Sequence, residues 1–346
     1  MPGPVPGGAT RNPMLNWAGI ILAGLLNGSF AVPLKTTRTW KFDHIWMVHS
    51  LLAMGLLPWG FAIAVVPEWS NILGSVPTNG WLGLMGWGVL FGIGSLLYGV
   101  AVDLLGMALG FAIQLGLSIV LGALLPLIWT GELSVRTWED WLFLLGLAVM
   151  VAGVILCAQA GGSKSATPGA SGGRFRKGII IAIIGGILAP TLNFGIQYGT
   201  SLLASLGETP ASGSFPTRTY LAWAVFLSAA AVIQAGACLA RILKGKQTNT
   251  FLAPGAGRDV LQVIVMSSLW ISSVFVYGRS AFGLGRLGIG IGWPIFVALI
   301  ILASNAWGVI LGEWRGVPRG TFRRMLLGSA VLLLAAFLIG QGNPGG

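Results

Sequence analysis

Residues 98–116 read YGVAVDLLGMALGFAIQLG, and residues 277–295 read YGRSAFGLGRLGIGIGWPI. The two stretches align at a constant offset of 179 (277 minus 98), with Tyr-Gly and Leu-Gly in matched order. Each runs on towards a Gly-Glu pair, in WTGE (129–132) and, two residues out of step, in ILGEW (310–314). Glycine-rich apolar segments resemble one another by composition alone, but ordered dipeptides at a fixed offset are a stronger signal of an internal repeat. The composition around them decides the solvent. Of 346 residues 55% are hydrophobic and only 8% are charged, against about 25% charged in soluble domains. With a mean hydropathy of +0.84, a water-soluble fold is excluded and the chain is expected to be an all-α membrane protein.

A helix needs about 20 apolar residues to cross the hydrocarbon. Ten windows qualify: 14–34, 44–66, 80–102, 105–130, 138–159, 178–204, 217–243, 259–281, 285–311 and 321–341. Residues 160–177, Gly/Ser-rich and basic, read as a linker between a first five-helix half (14–159) and a second (178–341). Five is odd, so the second half enters the membrane upside down. Two inverted repeats of five helices are a transporter architecture, with the site near the midplane between halves. Residues 1–13, Pro/Gly-rich with one arginine, read as a disordered tail rather than a signal peptide.

The 20 Lys and Arg against 9 Asp and Glu, net +11, do not form the polar basic face of a nucleic-acid binder. They sit in short gaps between spans. The side shared with the N-terminus has five (Arg11, Arg136, Arg218, Arg279, Arg286) and the other side fifteen. The positive-inside rule then puts both termini outside and the linker in the cytoplasm.

Enzyme chemistry finds few footholds. There is no HExxH, His44 and His49 are five apart, and Cys157 and Cys238 lie in apolar segments without metal or disulfide spacing. Gly283–Gly288 spells GxGxxG but has no strand before it. No cofactor or metal is expected. The informative residues are polar groups buried in spans, each costly in lipid. Asn27, Gln114, Asn193, Gln197, Tyr277 and Trp293 are the candidate substrate contacts. The 179 offset places Gln114 and Trp293 at equivalent positions of the two halves, and amides facing aromatic rings suit a neutral polyol. Such groups also serve as hydrogen-bond glue between helices. His49, Asp103, Glu132 and Glu313 are the candidates for carrying a coupled proton, with His49 titrating nearest neutrality. Pro190, just before Asn193, and Pro294, just after Trp293, are expected to break helices where a cavity could form.

Four segments together, NGSFAVPLKTTRTW (27–40), IWMVHSLLAMGLLPW (45–59), FGIGSLLYGVAVDLLGMALGFAIQLG (91–116) and NAWGVILGEWRG (305–316), resemble the L-rhamnose–proton symporter family of the drug/metabolite transporter superfamily. The resemblance implies a proton-coupled sugar symporter of the bacterial inner membrane, with a sugar and protons as its partners and alternating access as its mechanism. An exporter of the same superfamily is the second reading, and a membrane receptor or channel a remote third. Where the family pattern is W-G-x-G-N-x-N-Y-G, this chain has FGIGSLLYG (91–99), with Ser95 and Leu97 at the asparagine positions.

Overall fold

The computed structural model describes residues 13–342 apart from 131, 132, 134, 165–172, 205–214, 286, 287 and 289. All regular structure among them is helical. Nine helical segments are long and apolar enough to cross a bilayer, and a shorter apolar helix, Ala112–Ile128, occupies the remaining window. The helices are α1 (Pro13–Ser29), α2 (Phe42–Ser50), α3 (Leu57–Val65), α4 (Trp69–Ser75), α5 (Thr78–Thr130), α6 (Trp138–Lys164), α7 (Gly173–Leu188), α8 (Thr191–Ala204), α9 (Thr219–Lys244), α10 (Ala256–Gly283), α11 (Gly292–Ile310) and α12 (Arg319–Gln341). α6 continues to Lys164 and α7 resumes at Gly173, so helix extends into both ends of the expected linker.

Two spans are not simple rods. Span two joins α2 to α3 through a π-helical turn at Leu51–Leu56, and Pro58 stands directly after it. A proline ring clashes with the carbonyl four residues back, and the widened turn relieves this locally. Span six breaks where expected: α7 ends at Leu188, the chain turns at Ala189–Pro190, and α8 starts at Thr191, whose hydroxyl donates to the Leu188 carbonyl at 2.5 Å.

α5 has 53 residues, which as a straight rod would be about 80 Å long, far beyond a hydrocarbon core of about 30 Å. It is not straight. A Cβ built on Gly110 would lie 3.3 Å from the Cα of Val102, whereas eight residues of straight helix rise about 12 Å. The chain therefore doubles back between them, and spans three and four form a tight hairpin within continuous helical backbone. In the other half, one residue out of step with the repeat (Gly288 corresponds to Leu109), a Cβ on Gly288 would collide with the Ala281 carbonyl. A Cβ is excluded at Gly288 and would be tight at Gly110.

The packing pairs the halves crosswise. α1 lies on α10 and α11, and α7 and α8 lie on α5. α6 packs on α12, α2 and α3 on α9, α9 on α5, and α2 also on α10. Small residues make the closest approaches, as expected where lipid offers no competing hydrophobic drive: Gly19 meets Ser280, Gly24 meets Leu299, and Gly28 meets Ala303. In the other half Gly178 meets Leu105 and Gly186 meets Leu117. Thus each half's first span is clasped by the third and fourth spans of the opposite half.

Candidate functional site

Residues Ser267, Trp270, Ser273 and Tyr277 follow one another at intervals of three, three and four along α10, so they share one helix face. All four are buried. Two of the polar residues singled out in the sequence end on this stripe. His49, on α2, is buried with its Nδ1 3.0 Å from the Ser267 hydroxyl. Its ring stacks on Phe30 at 5.9 Å and meets Trp46 and Trp270 at 5.3 and 6.0 Å. Asn27, on α1, donates from Nδ2 to Ser273 Oγ at 2.7 Å, and that hydroxyl donates to the Trp270 carbonyl at 2.8 Å.

A third residue joins at the far end of the stripe. The Tyr277 hydroxyl donates to Asn193 Oδ1 at 3.2 Å, placing the start of α8 against α10. The Tyr277 ring stacks on Phe296 (4.5 Å) and meets Trp293 edge-on (5.7 Å). Trp293 Nε1 donates to the Ser118 carbonyl at 3.1 Å, and the indole lies against Gly122. Pro294 stands in the first turn of α11 and costs no ladder hydrogen bond there. Aromatic rings from α10 and α11 thus converge with an amide from α8 and the backbone of span four.

Gln114 is one turn before Ser118 on that span, buried against α7, where a Cβ on Gly185 would run into its Nε2. The same Gly185 position lies 3.4 Å from the Leu97 Cβ. Neither Nε2 nor Oε1 of Gln114 has a hydrogen-bond partner in the protein. Asn193 Nδ2 and Gln197 Nε2 share this condition, and Gln197 follows Asn193 by one turn of α8. A buried unpaired amide group costs about 1–3 kcal/mol, so each of these is a candidate for a ligand's hydrogen bond. Among the described residues four other buried polar side-chain atoms are unpaired, one each of Trp40, His44, Thr219 and Trp223.

The other proton candidates lie elsewhere. Glu313 follows the end of α11 and pairs with Lys35 at 2.5 Å, with Lys35 more than half exposed. Asp103 belongs to the reversal within α5, and its side chain lies outside the described residues, as does the whole of Glu132. Among the described residues no three His, Cys, Asp or Glu side chains group as a metal site would require.

A family model described as L-rhamnose-proton symport protein matches residues 16–344. The chain belongs to the L-rhamnose-proton symport protein family. It is 25% identical over 325 residues to a protein of Klebsiella pneumoniae (strain 342) named L-rhamnose-proton symporter, covering 90% of this chain and 93% of the relative. It is 26% identical over 328 residues, with the same coverages, to proteins of that name from Escherichia coli O1:K1 / APEC and Shigella flexneri. This is a family of transport proteins, not enzymes, and membership fits the all-helical multi-pass architecture.

Sequence reasoning missed the partners on α10. Ser267 and Ser273 are unremarkable serines in an apolar run, and only their three- and four-residue spacing to Trp270 and Tyr277 could have marked them. Other buried amides prove to be glue. Gln234 accepts from Trp46 Nε1 at 3.0 Å, binding α9 to α2, and Asn305 donates to Ser329 at 3.2 Å, binding α11 to α12.

Proposed function

We propose that this protein is a proton-coupled symporter that imports L-rhamnose or a related monosaccharide across the bacterial inner membrane. The observation that carries the reading is the set of unpaired buried amide atoms on Asn193, which Tyr277 contacts, on Gln197, one turn further along α8, and on Gln114, one turn from the Ser118 carbonyl that Trp293 contacts. Amides supply donors and acceptors to sugar hydroxyls, and the rings suit the apolar C–H faces of a pyranose. Asn27 completes the contacts from α1, where its exchange with Ser273 ties substrate to the α10 stripe. His49 is the proton carrier: it is the buried group of that stripe with a pKa nearest neutrality when free. The names of the relatives point the same way.

Transport proceeds by alternating access between two inverted five-helix repeats. The reversals at Val102–Gly110 and Ala281–Gly288, one residue out of step with the repeat, and principal helix pairings that recur when the halves are exchanged support this. The excess of basic residues on one side orients both termini to the periplasm and the linker to the cytoplasm. Leu97 faces Gly185 beside the Gln114 amide. The family pattern has asparagine there and at Ser95, so this segment offers two amides fewer, which shapes which sugar it prefers.

The test is uptake into proteoliposomes with an imposed pH gradient across a panel of monosaccharides. At least one sugar should accumulate, and a protonophore should abolish the accumulation. Gln114→Ala should cut uptake by about tenfold or more. His49→Gln should lose accumulation yet keep exchange of labelled sugar down its gradient. If no sugar is taken up, the symport reading fails, and efflux of the same panel from loaded vesicles would instead mark an exporter.

A further inference from the structure

The turn between the last two spans builds a cationic cleft for which transport has no use. α11 ends with the Gly312 N–H donating to Val309 O at 3.0 Å and the Glu313 N–H to Gly308 O at 2.9 Å. Gly312 adopts φ +73°, the left-handed residue that such a helix stop demands. The chain turns again at Gly316 (φ +79°), and α12 opens at Arg319. This double turn lays Arg315 back over Gly312, where a Cβ would lie 3.0 Å from Arg315 Nε. Arg319 and Arg323 are four apart in the first turns of α12, on the same face. Together the three arginines line a cleft of about 320 Å³ whose other walls are Trp314, Phe322, Val309 and Val317.

Three guanidinium groups around one cleft repel each other, and two of them stand at a helix N-terminus, where the macrodipole also disfavours cations. No side-chain hydrogen bond or ion pair offsets this for any of the three among the described residues. The nearest acid in sequence, Glu313, is held by Lys35. An anion resolves the conflict, and arginine forks match the oxygens of a phosphate. The cleft wall is mostly apolar and stands just beyond the end of a span, where headgroups are expected, with the rings of Trp314 and Phe322 5.8 Å apart as its aromatic wall. We propose that the cleft formed by Arg315, Arg319 and Arg323 binds the phosphate of an anionic phospholipid headgroup, with the apolar wall taking the glycerol and upper acyl chain. The site is independent of the sugar pathway.

The test is native mass spectrometry of the full chain in a neutral detergent, titrated separately with phosphatidylglycerol and phosphatidylcholine. Phosphatidylglycerol adducts should form at lower lipid concentration than phosphatidylcholine adducts. The R315Q/R319Q/R323Q variant should lose affinity for phosphatidylglycerol by about tenfold or more, and R176Q/K177Q, two exposed cations on the same side, should not. Equal binding of the two lipids by the unmodified protein overturns the proposal without recourse to any variant. So does full retention in the triple variant, or an equal loss in R176Q/K177Q. Inorganic phosphate and glycerol phosphate are added as competitors. If either displaces the lipid at comparable concentration, the cleft is a small-anion site and the lipid assignment is wrong.

Discussion

The two ends of the bundle are closed by different chemistry. At the basic end, the segment after α1 is tied to the second half by charge. The Asp259 carboxylate, at the start of α10, accepts from the backbone N–H groups of Arg38, Thr39 and Trp40 at 3.0, 2.8 and 2.7 Å. Arg241 pairs with Asp43 at 2.8 Å, Lys35 with Glu313, and His44 Nε2 is 3.0 Å from the Gln247 carbonyl. At the end nearer the N-terminus, α3, α9 and α10 meet through aromatic rings. Phe61, Phe215, Tyr220, Trp223, Phe275 and Phe282 interlock with centroid separations from 4.8 to 5.7 Å. Directional bonds hold one register and separate at a threshold. Ring pairs gain mainly from buried area, with only about 0.5–1.5 kcal/mol each for their particular geometry. If alternating access operates, the basic end is the one with a discrete latch.

The comparison breaks most clearly at Asp259. Replacing it with alanine leaves three backbone donors of the α1–α2 connection without their charged acceptor. Each bond to a charged group contributes about 1.5–3 kcal/mol, so Asp259→Ala should destabilise by roughly 3–5 kcal/mol after relaxation. A thermal melt of the detergent-solubilised protein reads this. Asp259→Asn keeps one acceptor oxygen and should fall between. An unchanged melting temperature for Asp259→Ala would mean that the basic end is not held by this carboxylate.

The aromatic end should yield less to a comparable truncation. Trp223 is fully buried, and the Cβ position of Gly278 abuts its ring. A large-to-small change in a soluble core costs about 3–5 kcal/mol, but lipid solvates apolar groups as well as the protein interior does, so only the packing part survives. Trp223→Ala should therefore cost about 2 kcal/mol, below Asp259→Ala in the same melt. The reverse order would show the ring cluster to be the stronger clamp.

What the sequence made legible follows the same division. The ten spans were readable because the bilayer imposes a length, and every expected window holds a helix, including the break at Pro190. Asn27, Asn193, Tyr277 and Trp293 were visible because polar and large aromatic groups stand out against leucine and glycine. Their partners were not. Ser267 and Ser273 acquire meaning only when α10 faces α1 and α2, a relation spanning more than 200 positions (Asn27 to Ser273 is 246). The role of Asp259 was hidden, because its three partners are backbone groups that carry no sequence signal. The continuity of helix through Val102–Gly110 was equally hidden, since no proline marks the reversal and glycine is common throughout the chain.

The smallest expected effect comes from the pair that looks shortest. Lys35 and Glu313 lie 2.5 Å apart, but the lysine side chain is 56% exposed and the glutamate 28%. Water and salt screen such a pair, and its contribution should be about 0–1 kcal/mol. Lys35→Ala and Glu313→Gln alone should each shift the melt by little, and a double-mutant cycle should return a coupling in that range. The reversed pair K35E/E313K should restore it. Transport is the sharper readout. If the pair helps to latch the basic end, breaking it should speed exchange of labelled sugar while leaving the number of bound sugars unchanged. If it instead carries the coupled proton, Glu313→Gln should abolish accumulation and K35E/E313K should not rescue it, which would move the proton from His49 in the interior to the rim of the bundle.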